Sequence, residues 1–412
     1  MSADKIATYA VLLVLTTIAP FWSLLLFALL SPWNALNDLI GWDPRLGWSF
    51  MLALRGCWQG WNTRPYRFPL VAAWAFWAFV LLASVELVCE TEKVPTGELG
   101  GAVFLFLYFL AGAFATYAIV KLVTNSRKAQ MLVIMLASSL VCASVFGLIQ
   151  ACISYFKGDT SARIPGTLGN PNYFAAYLSI GATIVILFVR LKMLSRTIGI
   201  LACLIAGITC LLTLSRMGVV ACLIGITTAS LIRHTGRLLN LRIVVTILAI
   251  SFIGVGLALG YLWEVRRSLT FSSDPSQAEI ASMAQRMEDL SRLEAVAFAL
   301  SSWERNPIFG VGINTIAARN YKAEGMYVTT HDTYVQVLAG TGLVGFLLFG
   351  IALGSIIRSL RAEVRRFLLQ PLVVLCVCSF FGDYLQSIDI FVMFAVLFAV
   401  LHNKNSETVR AL

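Results

Sequence analysis

Three arginines and one histidine stand where this chain could do chemistry. Arg216 sits between two apolar runs, where a guanidinium is costly unless it snorkels to water or binds an anion. Arg292 lies in the longest polar stretch, four residues after Glu288, so an exposed ion pair and a phosphate ligand are both open to it. Arg163 precedes a glycine-rich turn and suits a phosphate or a lipid headgroup equally. A guanidinium fork meets phosphate oxygens two at a time, which suits arginines of this kind to a phosphate ligand. His331 stands where the polar stretch meets the next apolar run, followed by Asp332, Tyr334 and Gln336. A histidine there is either structural or a general base near neutral pH, with Asp332 or Tyr334 as supporting groups. Asp383 and Asp389, near Gln386, border or enter apolar runs and suit a proton relay or a helix-packing polar cluster.

Other chemistries find less support. The outer polar segments contain no HxxxH, no Asp-x-Asp and no clustered Cys and His, and the adjacent Glu288 and Asp289 point to different sides of a helix, so no metal is expected. The chain lacks a Walker loop, which argues against nucleotide-driven transport. Cys142, Cys203, Cys210, Cys222, Cys376 and Cys378 lie inside apolar runs without a CxxC pair and read as small core residues. His234, in a basic loop, and His402, in the polar tail, need no chemical role.

The elements that must position these residues are membrane helices. Hydrophobic residues make up 59% of the 412, and the mean hydropathy is +0.83, far beyond what a soluble core needs. Runs able to cross roughly 30 Å of hydrocarbon occur at Ala7 to Leu30, Phe68 to Val85, Gly101 to Val120, Met131 to Gln150 and Val244 to Trp263. Further runs lie at Tyr173 to Val189, Thr197 to Leu214, Gly218 to Ile232, Thr333 to Ile357, Phe367 to Gly382 and Ile388 to Leu401. The stretch from Trp33 to Trp61, interrupted by Asp38, Asp43, Arg45 and Arg55, either spans or lies in the interface. The expected fold is an all-α integral membrane protein of about 12 transmembrane helices. Its first run is a retained span and no signal peptide. It forms one polytopic domain over residues 1–412, with a large helical loop at 264–330 inserted between helices.

Loop charge sets the expected orientation. Lys121, Arg127 and Lys128, then Arg190, Lys192 and Arg196, then Arg233, Arg237 and Arg242, then Arg358, Arg361, Arg365 and Arg366 fall in alternate loops whose only acid is Glu363. Those loops face the cytoplasm, leaving Ser154 to Asn172, the Ser215–Arg216 joint and the 264–330 loop outside. The net charge of +10 is therefore mostly a topology signal, and nucleic acid is not an expected partner. In the outer loop, Asp274 before Pro275 predicts a helix start, and Ile280, Met283, Met287, Leu290, Ala297 and Leu300 recur at helical spacing. That helix should end near Trp303, before Asn306-Pro307 and a Gly310-Val-Gly312 turn.

The order of these pieces resembles the O-antigen ligase family, also called the Wzy C-terminal superfamily. The residues Arg163-Ile-Pro-Gly-Thr-Leu-Gly-Asn-Pro-Asn172-Tyr-Phe-Ala-Ala-Tyr177 are similar to the turn and helix that open the family's core. Ser215-Arg216-Met-Gly218 is similar to its Ser-Arg-Gly element. Arg292, then Pro307, Gly310 and Gly312, then His331-Asp-Thr-Tyr334 and Gly342-Leu-Val-Gly345 continue the pattern. Met217 stands in place of the more usual Gly, and Val296 where an aromatic often follows the loop arginine. The resemblance implies a GT-C-type membrane glycosyltransferase of the bacterial inner membrane, with its active site facing the periplasm. It implies transfer of a glycan from undecaprenyl diphosphate to a lipid A-core acceptor, inverting and without a metal or other cofactor. Arg163, Arg216 and Arg292 would hold the diphosphate, and His331 would be the catalytic base. A Wzy-type polymerase, a protein O-oligosaccharyltransferase, and a lipid or glycan transporter are the alternatives.

Overall fold

A computed structural model describes residues 3–34, 43–62, 70–89, 96–157, 163–231, 294–313, 315–316, 332–360, 362–380, 382–384 and 387–410. Among them all regular structure is helical. The helices are α1 (Ala3–Ile18), α2 (Pro20–Leu30), α3 (Arg45–Asn62), α4 (Leu70–Cys89), α5 (Thr96–Leu122), α6 (Ser126–Phe156), α7 (Pro171–Arg190), α8 (Arg196–Leu212) and α9 (Arg216–Leu231). They continue with α10 (residues 294–305), α11 (Thr333–Ser359), α12 (Ala362–Ser379) and α13 (Ile388–Arg410).

Among the described residues five helices are long and apolar enough to cross a membrane: Leu70–Val88, Ala102–Leu122, Ser126–Phe156, Pro171–Arg190 and Thr333–Ser359. Shorter apolar helices occupy most of the remaining expected spans, at Lys5–Ile18, Pro20–Leu30, Arg196–Leu212, Arg216–Ala229, Phe367–Ser379 and Ile388–Asn403. The run from Val244 to Trp263 lies outside the described residues. One expected span is corrected. The run from Ala7 to Leu30 is broken between α1 and α2, where Ala19 adopts φ −132° and ψ 63° ahead of Pro20. Proline lacks the N–H for the helical bond and disfavours helical backbone in the residue before it. The tryptophan-rich stretch left open above is helical from Arg45 and packs against α5.

Side-chain distribution identifies the solvent of each face. On α4, Leu70, Trp74, Trp77, Leu81, Val85 and Val88 are exposed along one side, while Ala72, Ala75, Phe79 and Ala83 are buried on the other. An apolar stripe of that length on a helix long enough to span suits a lipid-facing side. α7 is different, because every side chain from Phe174 to Val185 is buried. A helix covered all round is a bundle centre, and α8, α9 and α12 pack around it.

α11 is interrupted at Gly342, where φ is 63° and ψ −169°. The interruption frees backbone groups that the preceding loop satisfies. Leu343 N and Val344 N donate to Pro307 O and Ile308 O at 2.9 and 3.1 Å, while Val311 N and Gly312 N donate to Ala339 O and Gly340 O at 2.9 Å each. Non-helical backbone inside a bundle needs such internal partners. A Cβ on Gly342 would meet Ile308 O at 2.3 Å, and its backbone angles are open only to glycine. Gly342→Ala should therefore destabilise the protein by at least ~2 kcal/mol. Gly350→Ala, with open space around it, should be near neutral. Thermal unfolding of the two purified variants checks this, and equal midpoints would contradict it.

Candidate functional site

The ends of α7 and α13 divide the bundle into two poles. Asn403 near the end of α13 donates to Val123 O at 3.3 Å, so that end meets the basic α5–α6 connection. Arg190 closes α7, and Arg358 closes α11, at ends opposite their starts at Pro171 and Thr333. From Ile388 to Asn403 this helix rises about 24 Å, so the start of α13 lies at the opposite end of the bundle from the basic pole. The candidate site gathers at that other pole.

Asn172 is its connecting residue. Asn170 caps α7 by accepting from Asn172 N and Tyr173 N, and Pro171 occupies the first helical turn, where its missing N–H costs nothing. With the turn so fixed, Asn172 Oδ1 accepts from Arg163 Nη2 at 2.6 Å and from Ser215 Oγ at 3.0 Å. Arg163 and the residue preceding Arg216 thus share one carboxamide oxygen. α8 is closed by Thr213 and by Leu214, which holds a left-handed φ of 51°, uncommon for a branched side chain. Ser215 Oγ also accepts from Gly218 N at 3.3 Å, which opens α9 at Arg216. Arg216 is exposed and stands at a helix N-terminus, whose dipole adds to its own attraction for an anion.

The start of α11 joins the same pole. Thr333 donates to Gly382 O at 2.7 Å and accepts from Tyr384 N at 3.1 Å, while Tyr173 donates to Asp383 O at 2.7 Å and its ring lies 5.2 Å from that of Tyr384. A continuous set of contacts therefore runs from Arg163 through Asn172 and Tyr173 to the α12–α13 turn and Thr333. Asp332 caps α11, accepting from Tyr334 N at 2.8 Å and Val335 N at 3.0 Å. Burial pushes its carboxyl up from the ordinary range, against the opposing pull of those two backbone N–H groups. Tyr334 turns to α12, donating to Cys376 O at 3.1 Å with its ring 4.8 Å from Phe380. Asp383 and Asp389 are both buried at this pole, and the charge of Arg45, itself paired with Asp43, reaches Asp389.

The structure therefore brings Arg163, Arg216, Asp332 and Tyr334 to one end of the bundle. Arg292 and His331 lie outside the described residues, as does the expected helix start at Asp274. Where α10 is described, its buried face differs from the expected one. Ala295 and Ala299 are fully buried, while Ala297 and Leu300 are exposed. The small Ala299 lets the helix pack against Val311, Ile316 and Ala339, and this packing decides the face over residue hydrophobicity. Asn172, Ser215 and Thr333 are site residues that residue type alone does not single out; the Asn-Pro-Asn turn is the signal that could have found the first. Among the described residues no three His, Cys, Asp or Glu side chains are grouped to hold a metal ion.

Comparison with known families adds to this geometry. A family model described as O-antigen ligase matches residues 201–350, the family that the motif order resembles. The matched region contains Arg216, Arg292, His331, Asp332 and Tyr334, while Arg163 precedes it. A search of curated proteins found no match. The family match and the apolar helices together indicate a multi-pass membrane glycosyltransferase-like enzyme.

Proposed function

We propose that this chain is an O-antigen ligase, transferring a glycan from undecaprenyl diphosphate to a lipid A-core hydroxyl at the periplasmic face. The observation that carries the reading is the sharing of Asn172 Oδ1 by Arg163 and by Ser215 next to Arg216, at the pole opposite the basic loops. The positive-inside asymmetry supports reading that pole as the outer one.

The chemistry follows from the leaving group. When the bond between the sugar's anomeric carbon and the diphosphate breaks, the electron pair stays on the phosphate oxygen. Arg216 and Arg163, with Arg292 from the outer loop, would stabilise the charge that develops there, work a metal or a general acid does elsewhere. The acceptor hydroxyl is a weak nucleophile at neutral pH, so its proton must leave as the new bond forms. His331 would take that proton, with Asp332 and Tyr334 supporting the start of α11 beside it. Attack opposite the departing diphosphate inverts the anomeric centre.

Purified protein incubated with a lipid diphosphate-linked glycan and separate acceptors tests this. Transfer to the lipid A-core acceptor should proceed in EDTA and without ATP. Transfer only to a second lipid-linked glycan would mark a polymerase, and transfer to a protein hydroxyl an oligosaccharyltransferase. A strict requirement for added divalent cation would refute the metal-free mechanism.

A further inference from the structure

One guanidinium ties together parts of the chain that are far apart in sequence. Arg45 opens α3 and is buried, at 6% exposure. Its Nε donates to Asp43 Oδ1 at 2.8 Å and to Oδ2 at 3.0 Å, and its Nη1 donates to Ser31 O, just after α2. Tyr108 of α5 hydrogen-bonds to Asp43, and the charge of Arg45 reaches Asp389 in the first turn of α13. Tyr108 stands 14 residues before the end of α5 at Leu122, and Asp389 stands 14 residues before Asn403, so both lie about 21 Å from the basic pole. Neither Arg45 nor Asp389 falls in the 201–350 region that the family model matches.

The charges in this set do not balance. Arg45 and Asp43 already form a two-pronged pair, and inside a bundle a further carboxylate adds a desolvation cost that only a specific interaction offsets. Asp389 is that carboxylate. It is buried, and backbone N–H groups of Asp389 and Ile390 meet it, yet its Oδ2 has no hydrogen-bond partner among the described residues. Its remaining attraction is to the charge of Arg45, acting through space. A neutral side chain of the same shape would be cheaper to bury, so packing alone does not explain an acid at this position.

What the attraction does follows from where α13 begins. Gly382 O and Tyr384 N hold the Thr333 hydroxyl at the start of α11, next to His331. Tyr384 O accepts from Ser387 N at 3.1 Å and Ser387 O from Ile390 N at 3.1 Å, so the first turn of α13 follows directly on the residues that grip Thr333. A pull on Asp389 is therefore a pull on the start of α11. Asn172, by contrast, is fixed by the cap of its own helix.

We propose that Arg45 and Asp389 are a positioning pair for glycan transfer: the charge of Arg45, anchored by Asp43, draws Asp389 and the α12–α13 turn into the place that aligns the start of α11 for reaction. This rests on the ligase reading above, because His331 at that start is the group the turn would align.

The test measures single-turnover transfer and donor binding by the full chain in lipid nanodiscs, with an undecaprenyl diphosphate-linked glycan and a lipid A-core acceptor, alongside thermal unfolding. Asp389→Asn keeps the shape and removes the charge; it should stay folded, bind donor as the unmodified protein does, and transfer about tenfold more slowly. Asp43→Asn leaves Arg45 to Asp389 alone and should lose less than about threefold. A merely structural cluster gives the reverse ranking, since Asp43 is the bonded partner and Asp389→Asn only relieves a buried charge. Full-rate transfer or lost donor binding in folded Asp389→Asn, or a larger loss in folded Asp43→Asn, overturns the pair. If Asp389→Asn does not fold, the double variant Asp43→Asn with Arg45→Gln takes its place, because it removes the cation together with its bonded partner. It should show the same loss of transfer with donor binding intact, and normal transfer there overturns the pair. An unmodified protein that transfers glycan to no acceptor overturns both the pair and the ligase reading.

Discussion

Arg216→Ala should lower glycan transfer by on the order of a hundredfold or more while leaving the protein folded. The residue begins α9 and is exposed, so truncation leaves no buried cavity. What it removes is a guanidinium fork at a helix N-terminus, beside the hydroxyl of Ser215 that is bonded to Asn172. Arg216→Lys should recover part of the rate, because a point charge replaces the charge but not the two-pronged geometry. Asn172→Leu is the companion variant. It leaves every arginine in the chain yet removes the oxygen that Arg163 and Ser215 share, so transfer should fall with the charge count unchanged. Single-turnover transfer rates with saturating donor, alongside thermal unfolding, separate the two effects. Near-normal rates in Arg216→Ala would remove the arginine from the diphosphate site.

His331→Ala should lose transfer but still bind the lipid diphosphate, since the arginines proposed to hold the anion remain. A general base must be neutral to accept a proton, so activity of the unmodified protein should rise with pH through an apparent pKa in the histidine range. His331→Gln retains hydrogen bonding without a useful base and should be nearly as inactive as Ala. A positioning role gives the reverse ranking, with Gln active and the pH profile flat. Donor binding and transfer measured separately for both variants decide between them, and loss of donor binding in His331→Ala would also count against the base.

The spans were the most legible part of this chain, because crossing hydrocarbon requires long uncharged runs that little else in a sequence imitates. α4 to α7 and α11 fall where apolar length places them, and the Ser215–Arg216 joint falls between α8 and α9. Hydropathy did not reveal the break before Pro20, since it weighs side chains and is blind to a missing backbone donor. The face of α10 escaped for a related reason: Ala295 and Ala299 are buried because they are small, a property that a search for large apolar residues passes over. At the site, Arg163 and Arg216 could be picked out by charge in unexpected places. Asn172 could not, because its importance arises only when residues 163 and 215 meet it in space. In the sequence Asp332 is an acid beside a histidine, and its part in capping α11 depends on where the helix starts.

The stitching between residues 307–312 and the break in α11 bears on how this chain can change length. Its four backbone bonds depend on the spacing of peptide groups and scarcely on side chains, apart from the glycines whose bare Cα atoms permit the contact. One residue inserted at Phe309 would slip the bonds on either side of it out of step at once, and no rotamer change could absorb the slip. Among the described residues before Asn306, α10 meets α11 through side-chain packing at Ala299 and Ala339 and through no backbone bond. Changes of chain length ahead of α10 would therefore leave these four bonds, and the register of α11 against residues 307–312, as they are.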